Sequence, residues 1–342
     1  MSNRKESEVR FNMKKVKTAV VGVGSLGKHH LKWLSRIEES ELVGFYETDP
    51  ECKAQFAKEY DDVIAFESLE QVAEAAEAVS VVVPTSKHCE VASVLIDRGI
   101  HCLIEKPVTA TLDEALTLKK KAETAGVTVA VGHIERFNPA VQAVMDAGIT
   151  PAFIEAHRLA AFDPRGTDVA VVRDLMIHDI DLVLGFIDSK IVDIQASAVA
   201  VVSDRADIAN ARLTFECGAV ANLTASRISL HQMRKLRIFQ QSGYFSLDLA
   251  KKQADLYRLV GNDYSGDGFR VPIGKSDREL VYTKKQDSGE DMLQMELTSF
   301  LRAVGENKPP AVSLEEGTEA LRVALEVERI GQESLERMLA RN

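Results

Sequence analysis

The stretch Lys17-Thr18-Ala19-Val20-Val21-Gly22-Val23-Gly24-Ser25-Leu26-Gly27 decides how the rest of the chain is read. Its apolar, β-branched run predicts a strand over 17–23, ended by glycines in the spacing G-x-G-x-x-G, and a helical pattern follows over 28–40. Glycines there let the backbone turn and approach a pyrophosphate, while the helix start offers free N–H groups and a positive dipole end. Alone, the spacing marks any tight turn. An acid, Glu47, ends a second strand predicted over 42–46, about twenty residues past Gly27, where a dinucleotide fold keeps its ribose-binding carboxylate. Such a carboxylate accepts from a ribose 2′-hydroxyl and repels a 2′-phosphate, so NAD is expected rather than NADP. Gly22, Gly24, Ser25, Leu26, Gly27 and Glu47 are the expected cofactor contacts.

Working outward, helices are predicted over 50–59, 68–76, 88–98 and 112–125, the last closed by Gly126, with strands over 63–65, 78–83, 101–105 and 127–131. That alternation predicts an α/β Rossmann domain, a doubly wound parallel sheet, over 14–134. From 151 the pattern changes to period two, in segments over 153–159, 191–201, 208–216, 219–226, 235–240, 244–249 and 254–260. Turn signals separate them, and helices are predicted over 174–186, 292–304 and 314–338. An α+β domain with an open, mostly antiparallel sheet is therefore expected over 135–342. Residues 262–274, polar and glycine-rich, read as an exposed loop, and 1–13 as a disordered extension.

The composition suits two globular domains: 342 residues, 45% hydrophobic and 27% charged. A formal net charge of -10 argues against a nucleic-acid binder, which needs a basic face. Cys52, Cys89, Cys102 and Cys217 show no metal-ligand spacing and read as reduced packing residues of a cytoplasmic protein. No signal peptide and no membrane span are expected, because the start lacks an apolar core and no long apolar run occurs.

Two constellations could carry chemistry. Ile104-Glu105-Lys106-Pro107 sets a carboxylate and an ammonium at the carboxyl end of the predicted strand 101–105, the edge where open α/β sheets bind ligands. Lys106 there can hydrogen-bond a substrate oxygen while hydride moves, and Glu105 can orient the nicotinamide ribose. Whether Pro107 follows a cis bond is left open. The second is Arg173-Asp174-Leu175-Met176-Ile177-His178-Asp179-Ile180-Asp181. On an α-helix Asp174 and His178 share a face, and Asp181 lies close to it. A histidine oriented by a carboxylate is a suitable general base near neutral pH, although a plain structural Asp–His pair has the same spacing. Zinc signatures are absent, so no metal is expected. Pro84 and Thr85, at a strand end, are placed at the nicotinamide pocket, and His88 either lines that pocket as a cofactor contact or serves the start of a helix; His29 and His30 touch either cofactor or solvent.

The glycine turn, the Glu105-Lys106-Pro107 triplet and Asp174-x-x-x-His178, in these relative positions, resemble the Gfo/Idh/MocA oxidoreductase family, over essentially the whole chain from Lys14 onward. The resemblance implies pyranose or polyol oxidation with NAD. It implies that the second domain binds substrate and forms oligomers, a homodimer or homotetramer, through its sheet. Lys106 and His178 would be catalytic, and Asp174 would bind substrate or orient the histidine. More narrowly, Gly132-His133-Ile134-Glu135-Arg136-Phe137-Asn138-Pro139, Ser226-Arg227-Ile228-Ser229 and Met233-Arg234-Lys235-Leu236-Arg237 look like the branch that oxidises C3 of UDP-N-acetylated sugars. UDP-N-acetylglucosamine or its uronic acid would be the substrate, the keto product feeding an aminotransferase in lipid A or cell-envelope sugar synthesis. Arg136, Arg165, Arg173, Arg227 and Arg234 are then candidates for a diphosphate clamp in an otherwise acidic protein. Arg136 and Asn138 are the first choice, since their loop leaves the last Rossmann strand at the domain junction. An inositol or free-hexose dehydrogenase, and a non-catalytic dinucleotide sensor, are the rival expectations.

Overall fold

The computed structural model describes residues 14–162, 169–261, 264–273, 278–287 and 289–340; the extension expected over 1–13 and the candidate Arg165 lie outside them. The first half runs β1 (Val16–Val21), α1 (Gly27–Leu34), β2 (Ser40–Tyr46), α2 (Pro50–Glu59), β3 (Ile64–Phe66), α3 (Leu69–Ala75), β4 (Ala78–Val81), α4 (Thr85–Ile96), β5 (His101–Glu105), α5 (Leu112–Ala125) and β6 (Val129–Gly132). Its six strands are all parallel, in the order β3-β2-β1-β4-β5-β6. The chain changes direction across the sheet between β1 and β4, so their carboxyl ends open a crevice between diverging connections.

Local chemistry explains the boundaries. Asp49 caps α2 by accepting from the Cys52 N–H, with Pro50 at the first helical position. Thr111 and Glu114 form a reciprocal capping box on α5, and Gly126 ends it at φ 65. The helix expected over 28–40 is shorter than its pattern: α1 stops at Leu34, because Ser40 already belongs to β2, paired with Val16 and hydrogen-bonded to the Thr18 hydroxyl at 2.7 Å. The helix expected from 88 begins at Thr85, which carries His88 inside it.

The second half opens with a 3-10 turn (Ile134–Phe137) and continues α6 (Pro139–Met145), β7 (Phe153–Leu159), a π turn (Val172–Met176), α7 (Ile177–Phe186), β8 (Ile191–Val199), β9 (Ile208–Phe215), β10 (Val220–Ser226), β11 (Met233–Gln240), β12 (Gly243–Asp248), β13 (Gln253–Gly261), β14 (Phe269–Pro272), β15 (Arg278–Lys285), α8 (Met292–Glu306) and α9 (Leu314–Leu339). These nine strands lie in the order β14-β15-β13-β12-β11-β7-β10-β9-β8. Every neighbouring pair is antiparallel except β7 with β10. The loop expected over 262–274 contains β14, an exposed edge strand whose side chains offer no inward-outward alternation to read.

Period two sorts the faces of this sheet. Ile154, Ala156, Leu236, Ile238, Phe245 and Leu247 point inward and share a core with Ile177 and Ile180 of α7 and Ala324 and Val327 of α9. On the other face Phe153, Phe239, Tyr244, Tyr257 and Tyr282 stand directly opposite one another on successive strands, ring centroids 4.9 to 5.7 Å apart. The chain then returns to the first sheet. Leu293, Leu297, Phe300 and Leu301 of α8 complete the core around Val16, Val20, Leu31 and Leu34, and Leu314 and Leu321 of α9 join Ile104 and Val131. α8 thus packs beside β1 and α1, and Lys106, just past β5, reaches Asp174 immediately ahead of α7.

Candidate active site

The glycine turn has room for a ligand where a dinucleotide needs it. Gly22 sits at φ 87, and a Cβ there would lie 2.4 Å from the Val82 carbonyl oxygen; at Gly27 it would lie 1.8 Å from the Gly22 carbonyl oxygen. A Cβ on Gly24 would meet nothing within 4 Å. The outer glycines therefore serve the turn's own packing, and the middle one leaves open space beside exposed Ser25 and Leu26 at the start of α1. Glu47 rims that space: its Oε2 accepts from the Val23 N–H at 2.9 Å, and its Oε1 from Thr48 at 2.7 Å and Asp49 at 3.0 Å. Fixed by three backbone donors, the carboxylate keeps lone pairs for a ribose hydroxyl. The residues present fit NAD.

The far side of the cleft holds the ionisable groups. The Glu105 carboxylate lies 3.1 Å from the His30 Nε2 and accepts from the Lys106 N–H at 3.3 Å. Burial opposes its charge, but the His30 bond and the Lys106 ammonium outweigh burial and hold the carboxyl below its ordinary range. His30 is buried against Glu105 and His29 faces solvent, which divides the two outcomes expected for that pair. The Lys106–Pro107 bond is cis. Lys106 Nζ donates to the Asp174 carbonyl at 2.7 Å and lies 3.6 Å from the Asp174 carboxylate. Burial lowers its pKa against the pull of Asp174 and Glu105.

His178, on α7, feels the charge of this ammonium. Burial first, then the charges of Lys106 and Arg158, drive its pKa well below the usual histidine value, so the ring is neutral at physiological pH. The expected Asp174–His178 pair is not formed. The π turn over Val172–Met176 changes the angular register ahead of α7, and Asp174 turns to Lys106 instead. Asp181, three residues past His178 on α7, is buried and holds Arg136 through Nε at 2.7 Å and Nη2 at 2.9 Å.

Several other expected contacts are met inside the protein. Arg136 spends its fork on Asp181 and packs against Gly185, where a Cβ would come within 2.4 Å of its Nη1. Asn138 is fully buried, caps α6 through the Ala140 N–H at 3.1 Å, and donates to Glu135 at 3.0 Å and the Leu249 carbonyl at 2.9 Å. Both side chains thus have partners within the protein. Arg173 makes two bonds to Glu328 of α9, at 2.7 and 3.1 Å. His88 does not line the pocket: it is buried between the Val83 carbonyl at 2.9 Å and the Pro107 carbonyl at 3.0 Å, bracing the loops that follow β4 and β5. Pro84 and Thr85 remain at the surface of that strand end.

Sequence reasoning passed over a buried ion cluster beside His178. Arg158 donates to both Asp179 oxygens at 3.0 and 2.8 Å and to Glu135 at 2.9 Å. The clue was available, since alternation along β7 places this arginine on the inward face with Ile154 and Ala156. Also missed were His133, whose ring meets His178 edge-on at 6.4 Å, and Glu296 of α8. Glu296 is buried with no hydrogen-bond partner on either oxygen, and burial, then Glu105 and Asp181, push its pKa well above the carboxylate range. Among the described residues no group of three or more His, Cys, Asp or Glu is placed to hold a metal ion, and no helix is long and apolar enough to cross a membrane.

A dinucleotide turn facing a lysine and a neutral histidine across one cleft describes a dehydrogenase acting on an alcohol. The chain matches the family model for the oxidoreductase family with NAD-binding Rossmann fold over residues 16–133 and that for the GFO/IDH/MocA C-terminal domain over 142–246; it belongs to the Gfo/Idh/MocA oxidoreductases. More particularly, it is 38% identical over 313 residues to the UDP-N-acetylglucosamine 3-dehydrogenase of Acidithiobacillus ferrooxidans, covering 91% of this chain and 96% of that protein. A solved structure of that enzyme superposes with a TM-score of 0.83 at 36% identity, covering 94% of this chain and 99% of the other. The myo-inositol 2-dehydrogenase of Thermotoga maritima is 22% identical over 324 residues, 90% of this chain and 93% of its own.

Proposed function

We propose that this protein oxidises the C3 hydroxyl of UDP-N-acetylglucosamine, or of its uronic acid, to the 3-keto sugar with NAD. The observation that carries the reading is the Lys106 ammonium at the carboxyl end of β5, held on Asp174 just ahead of the helix that carries the buried His178 ring. His178 takes the proton of the C3 hydroxyl, and Lys106 hydrogen-bonds the same oxygen and stabilises the negative charge that develops on it. NAD, when bound, supplies the hydride acceptor. Gly24 and the start of α1 would admit its pyrophosphate, Glu47 and Glu105 would hold its riboses, and Pro84 and Thr85 would border the nicotinamide. Asp174 acts on Lys106, aiming the ammonium through its carbonyl. Full-length likeness to the Acidithiobacillus ferrooxidans enzyme supports the choice of substrate.

The keto product would be drawn off by an aminotransferase in envelope-sugar synthesis, and a cytoplasmic location belongs to the same proposal. The half-buried aromatic row on the outer face of the second sheet favours a homodimer or homotetramer built through that face. Replacing His178 or Lys106 by alanine should each lower kcat by about a hundredfold or more while NAD binding, followed by fluorescence titration, persists. Near-normal turnover in both variants would remove these assignments.

A further inference from the structure

Five arginines were candidates for reading the substrate's phosphates. Arg136 is committed to Asp181 and Arg173 to Glu328, while Arg227 is buried, 3.7 Å from Asp207 and donating to the Ala206 carbonyl at 3.3 Å. Arg165 lies outside the described residues. Arg234 is differently placed. It occupies an inward-facing position of β11, in phase with Leu236 and Ile238 and directly opposite Arg158 of β7. Its neighbours in phase, Leu236 and Ile238, and Arg158 opposite are all buried, yet the Arg234 side chain is 50% exposed.

Its environment is built but incomplete. The Arg234 carbonyl accepts from the Leu249 N–H at 2.8 Å, so the backbone is pinned and only the side chain moves. Its nearest anion is Glu135 Oε1 at 4.0 Å, an oxygen that Arg158 already engages at 2.9 Å, while Glu135 Oε2 accepts from Asn138 at 3.0 Å. Among the described residues none of its donors finds a partner at hydrogen-bond distance. Two arginines opposite one another on adjacent strands repel. Glu135 and Asp179 satisfy Arg158 and leave Arg234 with an unspent planar fork, the geometry that binds phosphoryl oxygens in pairs. Its charge also reaches His178. In a nucleotide sugar the anomeric phosphate is separated from C3 only by the anomeric oxygen and two ring carbons, so a group that reads this phosphate must stand close to the base that deprotonates the C3 hydroxyl.

We propose that Arg234 binds the diphosphate of the nucleotide-sugar substrate and so selects a phosphorylated sugar over a free one. The inference rests on the function proposed above. The test uses the full chain with Arg234→Met, which removes charge and fork, and Arg234→Lys, which keeps the charge. UDP binding is followed by calorimetry and UDP-N-acetylglucosamine oxidation by steady-state kinetics. In Arg234→Met the Kd for UDP and the KM for the UDP-sugar should both rise by about tenfold to a hundredfold, with less change in Arg234→Lys and none in the KM for NAD. Unchanged UDP affinity and KM in folded variants of an active enzyme would overturn the role of Arg234 alone. A wild-type protein that neither binds UDP nor oxidises the UDP-sugar would overturn the functional reading and this inference together.

Discussion

His178 carries the account at the scale of single residues. A general base must be neutral to accept a proton, and burial with three neighbouring cations, Lys106, Arg158 and Arg234, lowers its pKa. The charged ring is the form disfavoured, so the active form persists as pH falls through the ordinary histidine range, about 6.5. The pH profile of kcat/KM should therefore lose its acid limb only well below that value; an acid limb centred at or above it would contradict the assignment. Other residues show the cost of keeping such a cleft. Glu296 stays buried without a partner between Glu105 and Asp181, and the two nitrogens of His133 are equally unmet. Atoms of this kind cost stability on the order of 1–3 kcal/mol each, and such costs collect at functional sites.

At the scale of elements, what could be read in advance depended on local chemistry. α2 and α5 were legible to the residue because Asp49 with Pro50, and Thr111 with Glu114 and Gly126, write their ends in side-chain terms. The glycine turn was legible because its two outer glycines have no substitute: each Cβ would strike a carbonyl. The end of α1 was not, since Ser40 leaves the helical pattern only by pairing with a strand distant in sequence. β14 was invisible because an exposed edge has no alternation. The π turn mattered most for function. Spacing of four joins two side chains only on a regular α-helix, and one widened turn sent Asp174 to Lys106 rather than to His178. Arg136 and Asn138 were placed at the right junction, but their partners, Asp181 and Leu249, are reached only through the tertiary fold.

At the scale of the whole molecule, α8 and α9 bind the second half back onto the first sheet, so the cleft is formed by both halves together. The opposite face of the large sheet carries five aromatic rings in one row, an apolar stripe that a second copy would cover. Sedimentation velocity should find a dimer or tetramer that Tyr244→Glu with Tyr257→Glu disperses; a monomeric wild type would exclude this role for the row. The most direct test of the central claim is NADH formation with UDP-N-acetylglucosamine, its uronic acid and myo-inositol in turn, each with and without an aminotransferase and glutamate to draw off the ketone. The account predicts NADH with a UDP-sugar and none with myo-inositol. NADH with myo-inositol alone, or with none of the three despite demonstrable NAD binding, would contradict it.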